Sequence, residues 1–240
     1  TLFDMGVRRI EKELTDEAIH EAQSSSHVAI YQDALLVRMP VAISEKKSVG
    51  LTIVLVNRTI ITIRQDDIPA LDNAIDWLRN TSIQMPHPAM LLFELVDKIV
   101  DDDTSAALAI RRRVDDLERK LDEPDAEFDL DMVSDCRRDA VSLEAVMEDQ
   151  RSCLGGLQTS SMDVLRASEF QAYLRDAISH LDHNIRVAGR AEEMGDRVFR
   201  DLVFGVDRVG TVERREPEPA VLPPKRDRHP NRGVPFDRVA

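Results

Sequence analysis

The first third of the chain contains short apolar runs separated by turn-forming residues, a pattern typical of β-strands. These runs cover residues 28–31, 34–41, 50–56 and 60–64. The last two flank Asn57-Arg58-Thr59, so they predict a β-hairpin. We therefore expect a small sheet in this part of the chain.

Two helical patterns accompany the predicted strands. Residues 7–22 carry the first, and Asp66-Asp67 predicts the N-terminal cap of a second that runs to about Arg79. The apolar face of the second helix consists of Ile68, Leu71, Ala74, Ile75 and Leu78. Strands packed with helices predict a partial α/β unit over residues 1–84, a truncated α/β sandwich.

From residue 85 onward, apolar positions recur every three or four residues, which predicts long, coiled-coil-like helices. The first seam is Leu92, Val96, Ile99, Asp103, Ala106, Ile110, Val114, Leu117 and Leu121. The second is Leu130, Val133, Cys136, Ala140, Leu143, Met147, Gln150, Leu154 and Leu157. The third begins near Ser168 and includes Leu174, Ile178, Leu181, Ile185, Ala188, Phe199, Leu202 and Val206.

These seams predict an antiparallel helical hairpin packed beside a stalk-like helix over residues 85–209. The third seam is interrupted at Glu192 and Gly195, where we expect a weak core. Residues 210–240 are rich in proline and arginine without apolar periodicity, which predicts a disordered tail. The fold class expected for the whole chain is α+β.

Composition narrows the possible functions. The 240 residues are 42% hydrophobic with a net charge of −13, which indicates a soluble, folded, acidic protein. The acidity argues against a nucleic-acid partner, because such domains need a basic face, and it favours attraction of cations. No apolar run approaches the roughly 18 residues of a membrane helix, so we expect no membrane span in this chain.

The sequence offers no sign of nucleophilic or nucleotide chemistry, so we expect no enzymatic activity. There is no glycine-rich phosphate loop and no Gly-x-Ser-x-Gly motif. Cys136 and Cys153 fall 17 positions apart in one predicted helix, roughly 25 Å, which is too far for a disulfide.

Four stretches in this order resemble the cytoplasmic domain of the CorA family of magnesium and cobalt transporters. LTDEAIHEA (14–22) followed by VAIYQDALLV (28–37) is similar to the helix that leads into the family's sheet. VGLTIVLVNRTIITI (49–63) resembles the hairpin, PAMLLFELVDKIVD (88–101) the start of the first long helix, and YLRDAISH (173–180) the start of the stalk. The family's Gly-Met-Asn pore signature does not occur, so the chain is not expected to form a pore by itself.

The resemblance implies a magnesium sensor between subunits of a homopentamer. In the family, an acid of the α/β domain faces an aspartate near the top of the neighbour's stalk. The YLRD match places the stalk aspartate at Asp176, and its counterpart at Asp16 or Glu17, with Ala18 where the family often repeats an acid. Carboxylates suit Mg²⁺, and each of these acids is also explained by the helix-dipole or capping preference of helix N-termini.

Three further clusters leave alternatives open. Asp176, His180 and His183 share one helical face and could bind Zn²⁺, although such spacing is common on solvated helices. The run 101–103 is either an acidic collar or, as we favour, a solvated face with Asp103 as a polar seam residue. The run 111–113, followed by acids, predicts intrahelical ion pairs.

We thus expect a cytosolic regulatory domain of a CorA-like ion transport protein that senses Mg²⁺, with Co²⁺ or Zn²⁺ as alternatives. It would lie on the cytoplasmic side of the cell membrane. The alternatives are a soluble interaction or scaffold protein that has lost transport, a relative of zinc transporters, and a zinc-dependent enzyme built on Asp176, His180 and His183.

Overall fold

The computed structural model describes residues 26–31, 34–56, 59–80, 88–121 and 130–212, with side chains described up to residue 204. The predicted helix at 7–22, the turn residues 57 and 58, and the tail beyond residue 212 lie outside the described residues.

The predicted strands form one antiparallel sheet in which neighbours in sequence are neighbours in space. The strands are β1 (His27–Tyr31), β2 (Ala34–Ser44), β3 (Lys47–Val56) and β4 (Thr59–Arg64). Val56 pairs with Thr59, which confirms the predicted hairpin between β3 and β4. β2 extends three residues beyond the prediction because Ser44 pairs with Lys47 across a second tight turn.

Alternate residues of a strand point to opposite faces of the sheet, and in this sheet both faces carry apolar residues. One face contacts the helices, and its buried residues are Leu35, Val37, Met39, Val41, Leu51, Ile53 and Leu55. The opposite face buries a smaller cluster of Ala34, Leu36, Val54 and Val56. β2 is therefore buried on both sides, which explains its nearly continuous apolar sequence.

The remaining described structure is helical: α1 (Pro69–Asn80), α2 (Pro88–Leu121), α3 (Leu130–Gln158), α4 (Asp163–Arg166) and α5 (Ser168–Val212). The three long helices lie where the seams predicted them, and the α+β fold class is confirmed. The predicted cap of α1 was wrong. The helix begins at Pro69 rather than directly after Asp66-Asp67, since proline suits the first helical turn.

The helices form one layer in which α5 lies along both α2 and α3. Side-chain contacts give the directions. Asn184 of α5 bonds to Thr104, and Arg197 pairs with Glu118, so α5 runs parallel to α2. Arg113 of α2 bonds to Asp139 of α3, whereas Asp103, earlier on α2, lies next to Gln150, later on α3, so α2 and α3 run antiparallel as in the predicted hairpin.

The seams are buried nearly as predicted, with two informative differences. Leu130, the first residue of the second seam, is 46% exposed because it starts α3, where little packs against it. The weak point of the third seam is a close helix contact: a Cβ on Gly195 would lie 2.8 Å from Cγ of Arg137. Small residues therefore continue the seam there, with Ala188 and Ala191 buried in the preceding turns.

Arg113 joins three parts of the fold, which the prediction of intrahelical ion pairs missed. Arg111 does face Asp115 at 3.9 Å within α2. Arg113 instead bonds to Glu45 at 2.6 Å, in the turn between β2 and β3, and to Asp139 of α3 at 2.8 Å. Burial lowers the pKa of its guanidinium, but the bonds to the two carboxylates outweigh this, and the net shift is upward.

The two cysteines are separate, as predicted. Both are free thiols buried in α3, and Cys153 lies 3.5 Å from the Arg38 carbonyl oxygen of β2. Burial raises the pKa of the Cys153 thiol to about 12 and also raises that of Cys136. Both thiols are therefore unreactive core residues.

We expect Arg113→Ala to lower the free energy of unfolding by about 1–3 kcal/mol, because it leaves the buried Asp139 carboxylate without its partner. Arg111→Ala, two residues away on the same helix, should change it by no more than about 0.5 kcal/mol, because its pair is exposed. Urea unfolding followed by circular dichroism measures both. Equal losses in the two variants would contradict the assigned bridging role.

Candidate functional site

Asp176 lies beside a small cleft where α2 and α5 begin. The cleft has a volume of about 130 Å³. Its lining residues are Met90, Phe93, Glu94, Val96, Asp97, Tyr173, Asp176 and Ala177. The stalk aspartate predicted from the YLRD motif is thus at the edge of a concave surface formed by two helices.

Helical periodicity explains why Asp176 points outward. Leu174 and Ala177 of the YLRDAISH segment, and Leu181 directly after it, are buried. Asp176 and His180 fall between these positions and are exposed. These buried residues set the rotation of α5 about its axis, and a different rotation would turn the Asp176 carboxylate away from the cleft.

Stacked aromatic rings join the two helices at the cleft. The Phe93 ring of α2 lies 4.9 Å from the ring of Phe170 and 5.9 Å from that of Tyr173, both on α5. Phe93 is buried, whereas Tyr173 is 51% exposed. The stack fixes the distance between the two helix starts, and with it the positions of their carboxylates.

Three carboxylates line the cleft, and its described lining contains no lysine or arginine. Glu94 and Asp97 are one turn apart on α2, and Asp176 faces them from α5. Such a surface attracts cations, and carboxylate oxygens are the ligands that Mg²⁺ prefers. Within the described ranges, however, no three His, Cys, Asp or Glu side chains converge on one point.

The histidines predicted as metal ligands lie on the exposed side of α5. His180 Nε2 is 4.0 Å from Asp176 Oδ1, and both side chains are more than half exposed. His183 is also exposed, one turn further along. Asp16 and Glu17, the predicted counterparts of Asp176, lie outside the described residues, so their distance from it stays a prediction.

The three acids of the run 101–103 lie in three different environments. Asp101 is exposed and pairs with Lys98 at 3.6 Å. Asp102 is partly buried, and desolvation followed by repulsion from Asp101 raises its pKa. Asp103 occupies the seam, as predicted, but it is completely buried. The three acids therefore do not form a common cation-attracting surface.

Sequence reasoning missed the acids of α2 that face Asp176. Glu94 and Asp97 are within the PAMLLFELVDKIVD segment, three positions apart and between buried positions such as Phe93 and Val96. This i,i+3 spacing was available as a signal. Their proximity to Asp176, about 80 residues later, depends on the parallel packing of α2 and α5.

A family model matches most of the chain. The model described as "CorA-like Mg2+ transporter protein" matches residues 9–201, which is most of the chain. A search of curated protein sequences finds no significant match.

Several solved structures share the fold at low sequence identity. The soluble domain of CorA from Methanocaldococcus jannaschii is 18% identical with a TM-score of 0.65, and the match covers 78% of this chain and 77% of that one. The complete CorA magnesium transporter from the same organism is 17% identical with a TM-score of 0.71, covering 85% and 67%. Full-length CmaX is 16% identical with a TM-score of 0.69, covering 84% and 64%.

No helix within the described residues combines the length and the apolar character needed to cross a bilayer.

We expect Phe93→Ala to destabilise the fold by about 3–4 kcal/mol, because it removes the buried ring between the two helix starts. Tyr173→Ala removes a ring that is half exposed and should cost about 1 kcal/mol. Thermal and urea unfolding measure the difference. Similar losses for both would show that the stack does not depend on Phe93.

Proposed function

Because the chain belongs to the family of CorA-like Mg²⁺ transporter proteins, we propose that it is a divalent-cation-sensing regulatory domain of such a transporter. In this proposal the domain lies on the cytoplasmic side of the cell membrane, and the pore is formed by other segments. The observation that carries the proposal is the carboxylate-lined cleft at Asp176.

The electrostatics of the cleft support a sensor that responds to hydrated cations. Glu94, Asp97 and Asp176 place three negative charges around one opening, in a chain whose net charge is −13. Mg²⁺ dehydrates reluctantly and is usually held through one or two carboxylates and several waters. Carboxylates that share a cleft without converging match this requirement.

Regulation would act between copies of the chain. A cation at Asp176 would be shared with an acid of a neighbouring subunit, for which Asp16 and Glu17 are the candidates. Bound cation would cancel the repulsion between two acidic surfaces, and its loss would loosen the contact. Repulsion of this kind acts over roughly 8–10 Å in physiological salt, so it needs closely apposed subunits. The family resemblance suggests a homopentamer.

The ligand chemistry favours Mg²⁺ as the cation. Carboxylate oxygens are hard ligands, whereas Zn²⁺ and Co²⁺ gain more from imidazole. The imidazole of His180 lies 4.0 Å from Asp176, so substituting it distinguishes a magnesium sensor from the alternative of a relative of zinc transporters.

We expect Mg²⁺ to raise the sedimentation coefficient of the wild-type chain in a titration from metal-free buffer to millimolar excess at constant ionic strength. Asp176→Ala should remove most of this response, because it deletes the carboxylate between the cleft and the neighbouring subunit. Asp201→Ala is the matched control, since it removes an exposed acid from the same helix away from the cleft. A sedimentation coefficient that does not change with Mg²⁺ would refute cation sensing and favour a scaffold protein.

We expect His180→Ala to leave the midpoint of the Mg²⁺ response within about twofold of the wild-type value, because imidazole is a poor ligand for Mg²⁺. The same titration with Zn²⁺ tests the alternative. A Zn²⁺ response that exceeds the Mg²⁺ response and is lost in His180→Ala and His183→Ala would replace the magnesium sensor by a zinc site.

A further inference from the structure

A fully buried carboxyl group lies at the centre of the helical layer. Asp103 of α2 has no exposed surface, and within the described part of the chain neither of its oxygens has a hydrogen-bond donor. An ionised carboxylate in such a place would retain the full cost of desolvation with nothing to offset it. The fold must therefore neutralise this group in some other way.

Gln150 of α3 provides the missing partner. Its side chain is 1% exposed and lies next to Asp103, on whose carboxyl group it acts directly. The amide nitrogen Nε2 donates to the Pro40 carbonyl oxygen of β2 at 3.0 Å, so the orientation of the amide is fixed. The oxygen Oε1 is left buried without a donor. Two neighbouring buried side chains, Asp103 and Gln150, thus each carry an acceptor without a donor among the described residues.

We propose that Asp103 is a protonated carboxylic acid that donates its O–H to Oε1 of Gln150. One proton satisfies both orphaned acceptors and removes the buried charge. The hydrogen bonds then run from Asp103 through Gln150 to the Pro40 carbonyl oxygen. They connect α2, α3 and the sheet, and they depend on the proton.

The surroundings of Asp103 supply no charge that would favour ionisation. On α5, the buried Asn184 is uncharged, and its Nδ2 donates to Thr104 Oγ1 at 2.8 Å and to the Val100 carbonyl oxygen. On β2, the side chain of Arg38 points to the opposite face of the sheet, since it pairs in register with Thr52 and alternates with Val37 and Met39. Among the described residues, the charge that acts on Asp103 is Asp102, which is also negative.

Burial is the main cause that favours the protonated form. Desolvation raises the pKa of Asp103 from 3.8 to about 7, the neighbouring Asp102 carboxylate adds to the rise, and donation by the Gln150 amide to the ionised form acts against it. The folded protein holds this proton more tightly than the unfolded chain, so unfolding releases it. The contribution of this group to stability is therefore complete below about pH 4, falls as pH rises towards about 7, and is constant above that.

The test compares unfolding of the full chain with that of Asp103→Asn between pH 4 and 8.5. The variant has no titrating group at position 103, and the NH₂ of its asparagine can donate to Gln150 as the O–H of the acid does. We expect the ratio of the wild-type folding constant to that of Asp103→Asn to fall by up to about tenfold per pH unit between pH 4 and about 7. Asp101→Asn, an exposed acid of the same run, should show no such trend.

Infrared spectroscopy provides a measurement that is independent of stability. Wild-type protein at pH 6 should show a carboxylic-acid C=O band that Asp103→Asn lacks and Asp101→Asn retains. The band should disappear as pH rises through about 7. Absence of the band, or an Asp103→Asn protein that is less stable than wild type or unfolded at pH 8, would overturn the proposal. Either result would mean that the carboxylate is charged and satisfied by another group.

Discussion

Burial of α5 against two helices at once is the constraint on which the structure depends. The helix runs parallel to α2 and antiparallel to α3, so its stripe of apolar residues must fit both neighbours. Close approach to α3 is possible because residues such as Ala191 and Gly195 present little side chain. The sheet packs against α2 and α3, the two helices that α5 joins.

Polar groups are arranged around this packing in two ways. At the edges, ion pairs such as Arg137–Asp196, Arg151–Asp182 and Arg197–Glu118 connect α5 with its neighbours, where each exposed pair contributes little. In the interior, the polar groups of Asp103, Gln150 and Asn184 have few ways to be satisfied. Buried polar groups cost free energy when they are misaligned, so they favour one register of the three helices over the alternatives.

The cleft at Asp176 follows from the same geometry. It forms where α2 and α5 start side by side, and the Phe93 stack holds the two starts together. The carboxylates of this region repel one another, and the free energy gained by the apolar packing beneath them offsets this repulsion. A domain built in this way holds negative charge at a fixed place on its surface. This is the physical property that a cation-responsive member of the CorA-like family requires.

The sequence alone determined the elements, because each long helix repeats its apolar positions with the helical period and each strand is a short apolar run bounded by turn-forming residues. It also determined that Asp176 would be exposed, since Asp176 lies between the apolar positions that form the buried stripe of α5. Only the tertiary structure decided what these residues meet. Glu94 and Asp97 face Asp176, Arg113 bridges to Glu45 and Asp139, and Asp103 meets Gln150. These partners are tens of residues apart, and periodicity along one helix carries no information about the register of its neighbours.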